Sequence, residues 1–313
     1  MKSYSLFLIL ATFLFINCSK DDPKPEAKWV ATASPSDSDL TDVEYLNDKF
    51  GLISGAFGTL FKTTDGGSTW EGLNVGVNHS FVKAFALSED EFFTSRIGLY
   101  NTTDGGNTFN ELGNLSDYSG TIFDMHFFDS NNGVIYKEGL ILKITNGGQD
   151  WTVKYNEAGY ASKMQFVSNS IGYVSGGITY DGYSHGEIHK TTDAGNTWTA
   201  LNISSAEINT MYFINENTGY FSNFDNQLLK TTDGGQSFEI INNQLPSLFY
   251  DMIFVSDKKA YGVGSAGVFK TTDGGLTWTN EYPSEGEIFT AINKTPNRII
   301  YAVGNLGTIL KKS

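Results

Sequence analysis

The chain has 313 residues with 21 basic and 35 acidic side chains, a net charge of −14 at neutral pH. So acidic a surface repels phosphate backbones and excludes nucleic-acid binding, while a charged fraction of 18% with 14% aromatic residues excludes a disordered chain. Cys18 is the single cysteine, which excludes a disulfide framework within the chain.

Taken in chain order, residues 1–17 read as a secretory signal: Lys2 is the positive start, and Tyr4 to Ile16 form an apolar stretch too short to span a bilayer. The stretch stops at Phe15-Ile16-Asn17-Cys18. This end resembles the lipobox of bacterial lipoproteins, with Asn17 where a small residue is usual; the resemblance implies that Cys18 becomes the new N-terminus and carries a diacylglycerol thioether. The following Ser19-Lys20-Asp21-Asp22 resembles the acidic export signal of surface lipoproteins. Residues 19–28 hold two prolines and six charges and no apolar run, so 18–28 is expected to be a lipidated Cys and a flexible tether. The expected location is the bacterial outer membrane, surface-exposed or periplasm-facing, with membrane contact through the lipid alone.

Residues 29–313 carry an internal repeat. KTTDGGSTW at 62–70 recurs as NTTDGGNTF at 101–109, KITNGGQDW at 143–151, KTTDAGNTW at 190–198, KTTDGGQSF at 230–238 and KTTDGGLTW at 270–278, with starts 39, 42, 47, 40 and 40 residues apart. GTILKKS at 307–313 begins a seventh unit. Each unit reads as four short strands: an inner one such as 211–214, a second such as 219–222, a third such as 228–231 and an outer one from Phe238. Sheets this small bury their faces only by packing radially, so the expected fold is a single all-β, seven-bladed propeller of four-stranded antiparallel blades. The seventh unit lacks an outer strand, and Trp29-Val30-Ala31 is the spare one expected to pair beside 308–311 and close the ring.

In the repeated turn, the Asp carboxylate is expected to bind backbone N–H groups one or two residues on, the Gly supplies φ > 0, and the aromatic residue starts the outer strand. These positions are Asp65 and Trp70, Asp104 and Phe109, Asp193 and Trp198, Asp233 and Phe238, and Asp273 and Trp278. In the third copy, Asn146 and Trp151 take their places and Ile144 replaces the Thr, so a looser turn is expected there. The turn resembles the Asp-box, or bacterial neuraminidase repeat, which implies a structural role on the face opposite a propeller's ligand site. With its repeated GY-x-x-G and KTTDGGxTW phrases, 29–313 resembles the photosystem II stability and assembly factor-like family; the resemblance implies a protein-handling scaffold. The arginine patch of that family's photosynthetic members is absent, since Arg96 and Arg298 are the only arginines.

Two arginines cannot form the triad with which sialidases clamp a carboxylate, and no cleft between two propellers is available for a xyloglucan-type glycosidase. His185, Glu187 and His189 could share a strand face as metal ligands. His189, however, occupies a position filled by Phe61, Tyr100, Leu142, Leu229, Phe269 and Leu310 in the other units, which reads as packing between blades. Met125, Met164, Met211 and Met252 recur at one inner-strand position and read as core. The expectation is a non-enzymatic monomer with no catalytic residue, metal or cofactor, binding an envelope protein or glycan. Its candidate binding face holds the insertion loop with Tyr180, Asp181, Tyr183 and His185, joined by Arg96, Tyr118, Lys137 and Phe224. The alternative is a carbohydrate-active or glycan-binding propeller, recognisable by two carboxylates about 5 to 10 Å apart on the insertion side of the channel.

Overall fold

The computed structural model describes residues 27–113, 120–156, 160–180, 183–201, 203 and 205–313. The expected signal peptide, Cys18 and most of the tether lie outside the described residues. Seven separate four-stranded antiparallel sheets account for the domain, each running inner, second, third and outer strand. Blade 1 comprises Leu40–Tyr45, Gly51–Gly55, Leu60–Thr63 and Glu71–Gly72. Blade 5 comprises Ile208–Phe213, Gly219–Asn223, Leu228–Thr231 and Glu239–Asn242.

Its inner strand therefore starts three residues before Met211. A bulge between Ile208 and Thr210 breaks the strict alternation that marks a strand in sequence. The same shift recurs at Leu40/Asp42, Ile122/Asp124, Ala161/Lys163 and Phe289/Ala291. The residues just beyond four of these bulges, Asp42, Asp124, Lys163 and Ala291, line one cavity at the central channel.

Val30–Thr32 pairs with Ile309–Lys312 in the register Val30↔Lys311, Ala31↔Leu310 and Thr32↔Ile309, so the N-terminal strand closes the ring. Trp29, just ahead of it, is buried, sits edge-on to Tyr261 at 5.8 Å and donates its indole N–H to Glu281 at 3.2 Å.

The core lies between blades. Seven clusters of buried apolar residues fill the seven interfaces, that of blades 7 and 1 included (Leu40, Val43, Tyr301, Val303 and Ile309 among its members). A ring stack recurs in them, joining a second-strand aromatic to the end of the next inner strand. Phe93 on Phe127, Tyr173 on Phe213, Tyr220 on Phe254 and Tyr301 on Tyr45 have centroids 3.6, 3.7, 3.8 and 4.4 Å apart. The Tyr of the repeated Gly-Tyr phrase is thus an inter-blade residue.

Candidate functional site

Five of the repeated turns share one bond set. Thr63 donates its hydroxyl to Asp65 Oδ1 (2.9 Å) and accepts the Gly67 N–H (2.8 Å); Asp65 Oδ1 accepts the N–H groups of Ser68 and Thr69 (2.9 Å each), and Oδ2 accepts the Thr69 hydroxyl (2.7 Å). The carboxylate therefore reaches three and four residues on, not the one or two expected. Two successive left-handed glycines, Gly66 and Gly67 at φ +68° and +71°, curl the chain back under the Asp. Thr102–Asp104, Thr191–Asp193, Thr231–Asp233 and Thr271–Asp273 repeat the Thr-to-Asp bond and the bonds from the residue four positions on, and the Gln236 N–H repeats the Ser68 bond at Asp233 (2.9 Å). The N–H and hydroxyl groups of the residue four positions on hold the Asp65, Asp104 and Asp273 carboxyls down at about 2.

The third turn is not simply looser. It is a short 3-10 turn in which Asn146 donates to Asp150 Oδ2 at 3.3 Å, so donor and acceptor have exchanged places relative to Asp65 and Thr69. Trp151 donates its indole N–H to Gly148 O at 2.8 Å, as Trp198 and Trp278 do to Gly195 and Gly275.

The Lys that opens the repeat has a role the sequence reading missed. Lys62, Lys190 and Lys311 donate to the carbonyls of Gly105, Gly234 and Gly66 at 2.9, 2.8 and 2.9 Å, and Lys143 donates to Ala194. Each therefore ties its blade to the residue after the Asp position in the next box, and Lys311 does so across the seam. Every polar group named in these turns is engaged within the fold.

The channel is crossed by a ring of charges on the inner strands, each one residue ahead of the position held by Val43, Ala84, Met125, Met164 and Met252: Asp42, Lys83, Asp124, Lys163 and Asp251. Asp42 accepts from Lys83 (3.0 Å) and the Ala84 N–H (3.2 Å), Asp124 accepts the Met164 N–H (2.7 Å), and Asp251 accepts from Lys163 and the Ile292 N–H (3.1 Å). Burial pulls the Lys83 pKa down, yet Asp124, Asp42 and Glu44 hold it well above the usual lysine value. On the insertion side these carboxylates line a small cavity of about 120 Å³, and all three are bound to lysine or backbone N–H groups.

On the Asp-box side, a cavity of about 300 Å³ is lined by Glu44, Phe85, His126, Gln165, Tyr212 and Asn293, among others. Burial raises the Glu44 carboxyl to about 7 and lowers the His126 imidazole to about 4. No group of three or more His, Cys, Asp or Glu side chains able to hold a metal forms among the described residues. His189 is buried, its Nε2 2.8 Å from Glu187 Oε1 and its ring 4.2 Å from Tyr155 of the preceding blade. Met125, Met164, Met211 and Met252 are buried in the inter-blade clusters.

The face opposite the boxes gathers the connections from second to third strands and from each outer strand to the next inner one. Their adjacency shows in Gly58 N–H to His79 O (2.8 Å) and Phe224 N–H to Glu207 O (3.1 Å). The insertion in blade 4 is strand, not loop: Gly172–Tyr180 and Tyr183–Thr191, nine residues each, pair in register as far as Tyr180↔Tyr183.

Arg96 and Phe224 lie in connections of this face, Phe224 exposed and Arg96 half-buried. His185 is half-buried on the hairpin, and Tyr118 and Asp181 lie outside the described residues. Lys137 differs from expectation: it is fully buried and donates to Ile97 O (2.9 Å) and Gly120 O (2.5 Å). It braces two connections from beneath and presents nothing to a partner. The sequence reading also missed five exposed apolar residues of this face, Phe57, Ile97, Tyr250, Ile288 and Leu306. With Phe224 they form an arc over blades 5, 6, 7, 1 and 2.

Fold and repeat together define an Asp-box, seven-bladed propeller. The family model of the photosynthesis system II assembly factor YCF48 matches residues 22–116, and the chain resembles propellers of that kind. Photosystem II assembly lipoprotein Ycf48 from Nostoc sp. is 31% identical over 78 residues, which is 25% of this chain and 22% of that relative; the Trichormus variabilis protein of the same name matches equally. The aligned segment thus spans about a fifth of these relatives. Among solved structures, YCF48 from Cyanidioschyzon merolae superposes with a TM-score of 0.77 at 18% identity, covering 91% of this chain and 99% of that one. YCF48 bound to D1 peptide gives 0.76 at 18% identity, with 91% and 96% covered. At that identity the likeness establishes the fold.

Proposed function

We propose that the chain is a non-enzymatic propeller that binds a protein partner across the face opposite its Asp-box turns, held at the bacterial cell envelope by a lipid on Cys18. The observation that carries this reading is the gathering of exposed apolar side chains on that one face, beside the projecting hairpin of blade 4. The solved YCF48 propeller with a bound D1 peptide supports a peptide or protein as the kind of ligand. The lipobox and the relatives' description as lipoproteins support the anchor. Bound into the ring as they are, Asp42, Asp124 and Asp251 favour a structural over a hydrolytic role.

The test is affinity capture of the tagged protein from cross-linked cells, comparing wild type with Tyr180→Ala/Tyr183→Ala. Loss of a dominant partner at an unchanged melting temperature supports the reading. Retention of that partner, or recovery of glycan alone, overturns it. Cys18→Ala should move the protein from the membrane fraction to the soluble one.

A further inference from the structure

We propose that the partner engages this face through a segment that is both cationic and apolar, and that Phe57 and Leu306 are its anchor points. The inference rests on the partner-binding reading above and names the partner's chemistry.

The first observation is a pair of turns whose residues do not suit them. Ala56-Phe57-Gly58-Thr59 closes with Thr59 N–H to Ala56 O at 3.1 Å, and Asn305-Leu306-Gly307-Thr308 closes with Thr308 N–H to Asn305 O at 3.0 Å. The central φ values are +55° and +75° in the first and +54° and +67° in the second, the left-handed pair of a type I′ turn. Asn, Asp or Gly fits the first central position, and a bulky side chain is unfavourable there. Packing does not offset that cost, because Phe57 is 76% and Leu306 66% exposed. Two neighbouring blades, 7 and 1, thus hold a large apolar side chain out into solvent from a backbone conformation that disfavours it.

The second observation is charge. Among the described residues, the connections of this face hold the acids Asp37, Asp39, Glu138, Glu207, Asp225, Glu285 and Glu287 and no lysine, with Arg96 their one basic side chain. Of the lysines of the repeat, Lys62, Lys143, Lys190 and Lys311 are spent on the opposite face. An apolar arc with a negative surround repels anionic headgroups and acidic peptides, and it attracts a segment in which basic and apolar residues alternate.

The test uses the mature protein, a short fluorescein-labelled peptide of alternating lysine and leucine, the same peptide with glutamate for lysine, and vesicles containing phosphatidylglycerol. Binding of the lysine peptide is expected to weaken about tenfold between low salt and about 0.3 M salt, with no binding of the glutamate peptide. Phe57→Asn/Leu306→Asn should lower its affinity at least about tenfold while leaving the melting temperature unchanged or raised, since Asn-Gly suits the turn. Phe57→Ala/Leu306→Ala repeats the binding test without the turn preference. Equal binding by either double variant, equal binding of the glutamate peptide, or preference for the vesicles overturns the proposal. A cellular partner lost with Tyr180→Ala/Tyr183→Ala but kept by Phe57→Asn/Leu306→Asn would remove this inference and leave the broader reading standing; a partner kept by both would remove both.

Discussion

The two faces of the ring solve opposite problems. On the box face, Thr63, Thr102, Thr191, Thr231 and Thr271 close their turns with one bond set, and lysines at a fixed place tie blade to blade. On the other face the connections differ in length from blade to blade, one projects as a nine-residue hairpin pair, and apolar side chains stand in solvent. Repetition is found where polar groups must be satisfied internally and adjacent blades must mate. Variation is found where nothing within the fold demands a particular side chain, which is where an external partner can impose its own demand.

If stability resides in the repeated, inter-blade features, the largest loss should come at the seam. Trp29→Ala removes a buried ring that packs on Tyr261 and bonds Glu281, and it should cost about 3 kcal/mol in urea unfolding. Deleting residues 26–34 should go further and abolish the single cooperative transition. An unchanged transition would mean that the ring closes without its N-terminal strand.

Within a box, Thr191→Val strands the buried Gly195 N–H and releases Asp193. The expected loss is about 1 to 2 kcal/mol, with partner binding unaffected. A smaller effect per site comes from acid. The box carboxyls of Asp65, Asp104 and Asp273 sit at about 2, below their ordinary 3.8, so the native state favours their charged form. Their contribution is fully present above about pH 4 and is lost as pH falls through about 2. Thermal melting over that range should show a collective fall that a variant with Asn at the three positions lacks.

Blade number, strand order and ring closure were legible because KTTDGGxTW marks the end of each third strand, and Trp29 matches Trp198 without a blade of its own. The inner-strand starts were hidden by the bulges, which put Asp42 and Asp124 into the channel and break alternation at the residues a pattern search needs. The Lys ties were half legible: the recurrence of Lys62, Lys143 and Lys190 was plain, but their acceptors lie some 40 to 50 residues on, in the next blade, and only the packed ring brings them together. Lys137 looked like a rim cation because its position in a hairpin says nothing of burial, which is set by Ile97 and Gly120 from other connections. Phe57 and Leu306 escaped because GAFG and GNLG read as turns, and nothing local tells which turn residue leaves its side chain in water.

The third box offers the finest discrimination between repetition and tolerance. Asn146 and Asp150 hold the places of Asp65 and Thr69, so the donor sits where the acceptor belongs, and the contact survives at 3.3 Å. Asn146→Asp alone should place two carboxylates in contact and destabilise by about 0.5 to 1 kcal/mol, despite matching the consensus of the other turns. Asn146→Asp with Asp150→Thr restores the pairing of the other boxes and should recover that loss, a coupling of the same size in the double-mutant cycle. Additive effects would show that the turn is held by its glycines and Trp151 alone. The remaining difference is Ile144, buried in the core shared with blade 2, where a Thr would gain the Gly148 N–H and lose apolar contact. At this blade, apolar packing has taken the place that the Thr hydroxyl holds in the other five boxes.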